Sequence, residues 1–206
     1  PCGAGVGAGP FHSQTNEAWF TKTPGLKVIY PAFPEDAKGL LCAAINDPNP
    51  VLFFEHKALY RSIYQDVSDD YFTVEIGKAA VLKEGSDISI ISYGAGVHWA
   101  LDTLKKNPEI SADLIDLRTL QPLDVETIYT SERKTGKVIF LQEDSLFGSI
   151  ASDVSALITE NCFESLDAPV KRVASIETPI PFQGELEKQY LPKHRFVDEL
   201  KKLLNY

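Results

Sequence analysis

The sequence predicts an α/β fold built on a mostly parallel sheet. Three observations carry that reading. Short apolar runs alternate with longer amphipathic stretches from residue 26 to the end of the chain, the pattern of strands joined by helical crossovers. The run Asp87-Ile-Ser-Ile-Ile-Ser-Tyr93 is almost continuous β-forming sequence, as expected for a strand covered on both faces. Leu26–Tyr30, Pro34–Ile45 and Val51–Glu55 fit strand, helix and strand into some thirty residues, the span of a βαβ unit.

Taken in order, a helix is expected over Ser13–Thr21, with Ser13 as its N-cap and Glu17 in its first turns. Pro24-Gly25, Pro31, Pro48 and Pro50 bound the first two strands, and Pro34 with two acids opens the helix between them. Residues 61–75 are polar, aromatic and acidic, the best linker candidate. Strands then follow at Lys78–Leu82, Asp87–Tyr93, Asp113–Leu117, Lys137–Leu141 and Val170–Ile176. Helices are expected at Val97–Lys106, Val125–Lys134, Gly148–Cys162 and Arg195–Leu204. The two halves differ. The first supplies only two strands, too few for an independent sheet, so residues 1–72 read as the tail of a domain and residues 73–206 as a self-sufficient one.

Size and charge narrow the partners. A chain of 206 residues with 20 basic and 29 acidic side chains carries a net charge of −9. It needs neither disulfide nor metal to fold, because a chain this long buries roughly 70% of its unfolded surface. The acidic balance argues against nucleic acid, which calls for clustered Lys and Arg; the densest basic stretch, Lys193–Lys202, is broken by Asp198 and Glu199. No apolar run reaches the roughly 18 residues of a membrane span. Cys2, Cys42 and Cys162 are odd in number and widely spaced, which reads as reduced thiols in a cytosol-like compartment. The chain contains no Met and opens inside Pro1-Cys-Gly-Ala-Gly-Val-Gly-Ala-Gly9, compatible with a start at Pro1 or with a portion of a longer chain.

Few residues offer chemistry. The glycine run lacks the preceding strand of a dinucleotide fingerprint and the Lys-Ser/Thr of a phosphate loop, so it reads as a flexible loop. His12 stands where this loop turns into a helix, exposed to whatever the loop lines and able to serve as an acid, base or hydrogen-bond donor; a lone His is otherwise structural. His56 follows a strand end, where α/β sheets place functional groups; His98 and His194 carry weaker signals. The turn Ala44-Ile-Asn-Asp-Pro-Asn-Pro50 could gather carbonyls around a hard cation or simply satisfy itself as a Pro/Asn/Asp turn. In Asp116-Leu-Arg118 the acid and base could pair and fix a strand-to-helix loop.

A series of ordered motifs points further. His12-Ser-Gln14, Pro24-Gly-Leu-Lys-Val28, Asp36-Ala-Lys-Gly-Leu-Leu41, Ala44–Pro50 and Phe54-Glu-His-Lys-Ala-Leu-Tyr-Arg61 are followed by Gly77-Lys-Ala79, Ile115–Pro122, Lys134-Thr-Gly136, Ala168–Val173 and Thr178-Pro-Ile-Pro181. Together they resemble the β part of the thiamine-diphosphate-dependent decarboxylating component of 2-oxo acid dehydrogenase complexes. The tail, Asn161–Pro169 with Leu204-Asn-Tyr206, is most similar to the branched-chain type.

The resemblance implies a transketolase-like arrangement. Residues 1–72 would be the C-terminal part of a pyrimidine-binding domain. Residues 73–206 would be a transketolase C-terminal domain, three-layered around a mostly parallel sheet. It implies oxidative decarboxylation of a branched-chain 2-oxo acid or pyruvate, with acyl transfer to lipoamide. His12 would be the active-site His of the H-S-Q motif, and the carbonyls of Ala44, Asp47 and Asn49 would hold K+. The cofactor-activating Glu would lie upstream, and the diphosphate with its Mg2+ on the α part. These residues alone are therefore expected to be inactive and to bind no thiamine diphosphate. The partners implied are the α part, a second β copy in a homo-oligomer and the dihydrolipoyl acyltransferase core, whose basic docking domain would suit an acidic surface. The compartment implied is the bacterial cytoplasm ahead of the mitochondrial matrix. An assembly module, or another transketolase-like enzyme such as an acetoin dehydrogenase or a deoxyxylulose-phosphate synthase, are the alternatives.

Overall fold

The computed structural model describes residues 1–206, and its strands form two sheets. The smaller sheet runs in the order β2 (Val51–Phe53), β1 (Lys27–Ile29), β6 (Thr119–Gln121). β1 and β2 are parallel, with Lys27 opposite Val51 and Ile29 opposite Phe53. The helix α3 (Pro34–Asn46) connects them, the expected βαβ unit. Pro34 opens α3 where its missing N–H costs nothing, and Glu35 and Asp36 sit against the positive end of the helix dipole.

β6 was not foreseen. It comes from the second half of the chain and pairs antiparallel with β1. The first seventy residues therefore do not close a sheet of their own; they complete one with a strand from the C-terminal part. The linker candidate, residues 61–75, is largely irregular and joins the two parts of the chain, but it is packed down. After the one-turn helix α4 (Leu59–Ser62), residues 63–79 form an irregular strap laid across α3. The Lys38 ammonium donates to the Ser68 and Asp70 carbonyls, Asn46 pairs with the Tyr71 hydroxyl, and Gly39 leaves room for Phe72 and Val74.

The larger sheet follows the order β3 (Ala80–Lys83), β5 (Ala112–Asp116), β4 (Ile88–Ser92), β7 (Val138–Ser145), β8 (Lys171–Ser175). All neighbours are parallel except the edge strand β3. Side chains alternate between two cores. Ile91, Ile115, Val138 and Phe140 pack with Ile128 of α6 (Val125–Thr135) and with Ile150, Val154 and Ile158 of α7 (Ile150–Cys162). Ile90, Leu114, Ile139 and Leu141 pack with Leu104 of α5 (Ala95–Lys106) and with Phe196 and Leu200 of α9 (Lys193–Leu204). Every residue of β4 and β5 is buried, including Ser89, Ser92, Asp113 and Asp116, as expected for strands covered on both faces. No helix is long and apolar enough to cross a membrane.

The Asp116–Arg118 pairing expected from sequence is not what forms. Asp116 accepts the backbone N–H of Arg118 at 3.0 Å, whereas the guanidinium reaches Asp36 of α3 at 2.9 Å and the carbonyls of Lys78 and Ala79. Arg118 thereby ties the two parts of the chain together, held with φ +55° in a tight corner.

Candidate active site

The carboxyl ends of β1, β2, β4 and β7 meet at the junction of the two sheets, where parallel α/β architecture places functional groups. Tyr30 follows β1, Phe54 and His56 follow β2, Tyr93 follows β4, and Glu143 and Asp144 lie on the last turns of β7. Aromatic rings link these ends: Tyr30 stacks on Phe54 at 5.7 Å, meets Tyr93 at 5.3 Å, and Tyr93 meets Phe140 edge-on at 6.2 Å. Polar groups buried among the rings pair with one another, although Glu17 Oε2 is left without a partner. The Cys2 thiol donates to the Tyr30 hydroxyl at 3.1 Å, and Tyr93 donates to Glu17 at 2.7 Å. Burial pushes the Cys2 thiol up to about 12, so it is a packed hydrophobe and not a nucleophile.

His56 is held by two bonds. Its Nδ1 accepts the Ala58 N–H at 3.2 Å, which leaves the proton on Nε2 to be donated to Glu143 Oε2 at 2.6 Å. Both side chains are almost fully buried. Glu143 also accepts the Ala4 N–H at 2.6 Å. The glycine run is thus a built loop: Cys2 bridges to His56 in parallel fashion, and the N–H groups of Gly5 and Gly7 point at the carboxylate of Glu187 in α8 (Gly184–Tyr190) at 2.9–3.2 Å. A Cβ on Gly3, which has φ +95°, would fall within 2.3–2.6 Å of the His56 ring.

His12 ends a one-turn helix, α1 (Gly9–His12), and not the start of a nine-residue one; Ser13 caps its carboxyl end, and a second short helix, α2 (Glu17–Thr21), follows after a break. The cause is Pro10 with four glycines at positive φ upstream, which fix a loop before any helix can propagate. The His12 imidazole is exposed and makes no hydrogen bond within the chain. Phe11 beside it meets Phe182 of the C-terminal part at 6.0 Å.

The Ala44–Asn49 turn lies at the amino end of β2, away from the glycine loop at the carboxyl end of that strand. The structure therefore does not bring the two sequence-derived features into one site. The Asp47 carboxylate binds Lys27 and accepts the N–H and side-chain amide of Asn49 at 2.9 and 3.1 Å, and the Ala44 carbonyl accepts the Asp47 N–H at 3.3 Å. The carbonyls of Asp47 and Asn49 take no hydrogen bond from the chain, so an oxygen-lined cation would find two free donors there.

Glu17, read from sequence as a helix-opening acid, is instead fully buried and its pKa is pushed up to about 8, first by burial and then by the charge of Asp144. Burial does the same to Asp116, also to about 8. Each acid keeps a proton in the folded chain that the unfolded chain releases above the carboxylate range, so stability falls as pH rises toward 8. His98, lowered by burial, works the other way but only below its ordinary value of 6.5. Between pH 6.5 and 8 the acids prevail. Raising pH across that window is expected to remove about 3 kcal/mol and about 6–12 °C of Tm. Glu17→Gln should flatten the slope in thermal melts; an unchanged slope would show that Glu17 does not titrate.

Residues 77–197 match the family model described as "Transketolase, C-terminal domain", and residues 1–62 match "Transketolase, pyrimidine binding domain". The chain belongs to the transketolase family. Among curated relatives, this transketolase-family chain is 48% identical over 194 residues to a 2-oxoisovalerate dehydrogenase subunit beta of Bacillus subtilis (strain 168), covering 93% of this chain and 59% of that one. It is 46% identical over 202 residues to a pyruvate dehydrogenase E1 component subunit beta of the same organism, covering 97% and 62%. It thus spans about three fifths of the length of these relatives. A solved split-gene transketolase, an inactive beta4 tetramer, superposes with a TM-score of 0.78 at 26% identity over 99% of this chain and 65% of that one.

The transketolase-family fold raises the question of a diphosphate site. The only N–H cluster of the glycine run already holds Glu187, so this loop does not fit a diphosphate. Nor do three His, Cys, Asp or Glu side chains converge as metal ligands. What the junction offers chemically is the free imidazole of His12 on an anchored loop. The acids Glu17, Glu143 and Glu187 escaped sequence reasoning. Glu143 carried a usable signal, its place at the carboxyl end of an apolar parallel strand; Glu187, in a short polar helix, carried none.

Proposed function

We propose that the chain forms the β-type part of a decarboxylating component that acts on a branched-chain 2-oxo acid or pyruvate and passes the acyl group to lipoamide. The observation that carries this reading is His12: the imidazole of an H-S-Q motif, exposed, without internal partner, on a loop fixed by both parts of the chain. Thiamine diphosphate, when bound in the assembled enzyme, supplies the electron sink for decarboxylation. The residues here orient and protonate. His12 would give or take a proton at the acyl-accepting sulfur, a general acid–base task that an imidazole can perform.

An α-type chain would contribute the diphosphate and Mg2+ contacts, a second copy would complete a homo-oligomer, and the acyltransferase core would dock on the C-terminal part. K+ at the carbonyls of Ala44, Asp47 and Asn49 would brace the turn between α3 and β2. Three unpaired thiols suit a reducing compartment, the cytoplasm. The branched-chain assignment draws on the tail motifs, and 48% against 46% identity leans the same way. Decarboxylation of 2-oxoisovalerate and of pyruvate, assayed with the 206 residues alone and then with an α-type chain and the remaining β-type residues supplied, tests the proposal. Activity is expected only in the complete mixture, with 2-oxoisovalerate preferred. Turnover by the 206 residues alone would overturn it.

A further inference from the structure

We propose that Glu187, assisted by Glu143, is the positioning residue for His12: the C-terminal part holds the glycine loop by its backbone and so sets where the imidazole stands. The claim deepens the proposed function and rests on His12 being the reacting group. Gly5 (φ +89°) and Gly7 (φ +67°) turn their N–H groups to the same side, which makes a backbone nest of the kind that receives an anion. The anion is supplied internally: Glu187 Oε1 receives Gly5 at 2.9 Å and Gly7 at 3.2 Å, and Oε2 receives Gly7 at 3.1 Å. One residue earlier in the loop, Ala4 donates to Glu143 at 2.6 Å. Charge-assisted bonds of this type are about twice as strong as neutral ones.

The same surface continues toward His12. Ala4 packs with Ile180 and Tyr190, and the Phe182 ring lies where a Cβ on Gly9 would be, within 2.4–2.6 Å. Residues 180–190 thus lie against the loop from Ala4 to Phe11, and the His12 imidazole itself is left without a hydrogen bond. Two acids on α8 and β7 therefore do for the loop what its own sequence, half glycine, cannot: they select one conformation from many.

The test is amide exchange of the 206-residue chain as wild type, Glu187→Ala and Glu187→Gln. Exchange at Gly5 and Gly7 is expected to speed about 10- to 100-fold in the Ala variant. The Gln variant, which keeps one oxygen acceptor and loses the charge, should fall between, and it serves if the Ala variant folds poorly. Strands 112–116 and 138–145 should keep their protection. In the assembled enzyme the Gln variant should slow acyl transfer to lipoamide and spare decarboxylation read with an artificial electron acceptor. Combined with His12→Ala it should add no further loss. Wild-type exchange at Gly5 and Gly7 in both variants overturns the clamp. A loosened loop with undiminished acyl transfer, where His12→Ala does diminish it, overturns the positioning role. Full acyl transfer by His12→Ala would instead sink the functional reading, whatever the loop does.

Discussion

In the assembled enzyme proposed above, His12→Ala is expected to lower acyl transfer to lipoamide by about 10²–10⁴-fold, the usual contribution of a positioned proton donor or acceptor, while leaving decarboxylation to an artificial acceptor within a few-fold of wild type. The split follows from the geometry. His12 is exposed, takes no internal hydrogen bond and packs into no core, so its loss removes a proton-transfer group and nothing structural. The thermal midpoint of His12→Ala should accordingly lie within about 1 °C of wild type, as for a surface substitution. His12→Gln separates proton transfer from hydrogen bonding: an amide donates a hydrogen bond but neither gives up nor takes a proton, so Gln should recover little of the lost rate. Equal losses in both assays would place His12 in the decarboxylation step. No loss in either would remove it from the reaction.

The architecture was largely legible because its strands are buried on both faces. Ile88–Ser92 and Ala112–Asp116 are short runs rich in Ile and Leu in which no helical period fits, although Ser89, Ser92, Asp113 and Asp116 are polar. The βαβ unit at the start was legible for a different reason: proline punctuates every one of its boundaries but the end of β2. β6 was not legible. Thr119–Gln121 is three residues long between a corner at Arg118 and Pro122, and it is a strand only because β1 offers it a free edge. Such pairing is tertiary, and no local propensity announces it. The same holds for the strap over α3, whose order comes from Lys38, Asn46 and the gap at Gly39.

The site divides along the same line. The exposed loop position of His12 could be read from a three-residue motif at the end of a glycine run, since loop position and residue type are both visible in sequence. The acids that hold that run could not. Glu187 lies 182 positions from Gly5 in the chain, and Glu17 looks like an ordinary dipole-compensating acid until Tyr93 and Asp144 are placed around it. Arg118 shows how an adjacent pair misleads: Asp116 is two residues away, yet the guanidinium finds Asp36 because Asp116 is buried beneath the corner.

Glu143→Ala should produce the largest loss of stability of any single change at the junction, about 3–5 kcal/mol, because it breaks a buried pair and strands its partner. Glu143 receives two donors, the Ala4 N–H and His56 Nε2–H, each at 2.6 Å. Truncation leaves both without an acceptor. His56 cannot swing away to find water: Gly3 passes so close that even a Cβ would overlap the ring, and its Nδ1 is fixed by Ala58. For a chain of this size the loss corresponds to about 10 °C or more of Tm. Glu143→Gln refines the point. Its amide oxygen can still receive Ala4, but its NH2 then faces the His56 Nε2–H, donor against donor, at about 1–3 kcal/mol. Pairing the Ala variant with His56→Ala should be strongly non-additive, since the second truncation removes the donor that the first left stranded. Additive losses, or a Glu143→Ala chain within 1 °C of wild type, would mean that water reaches His56 and that the glycine loop draws no rigidity from this pair.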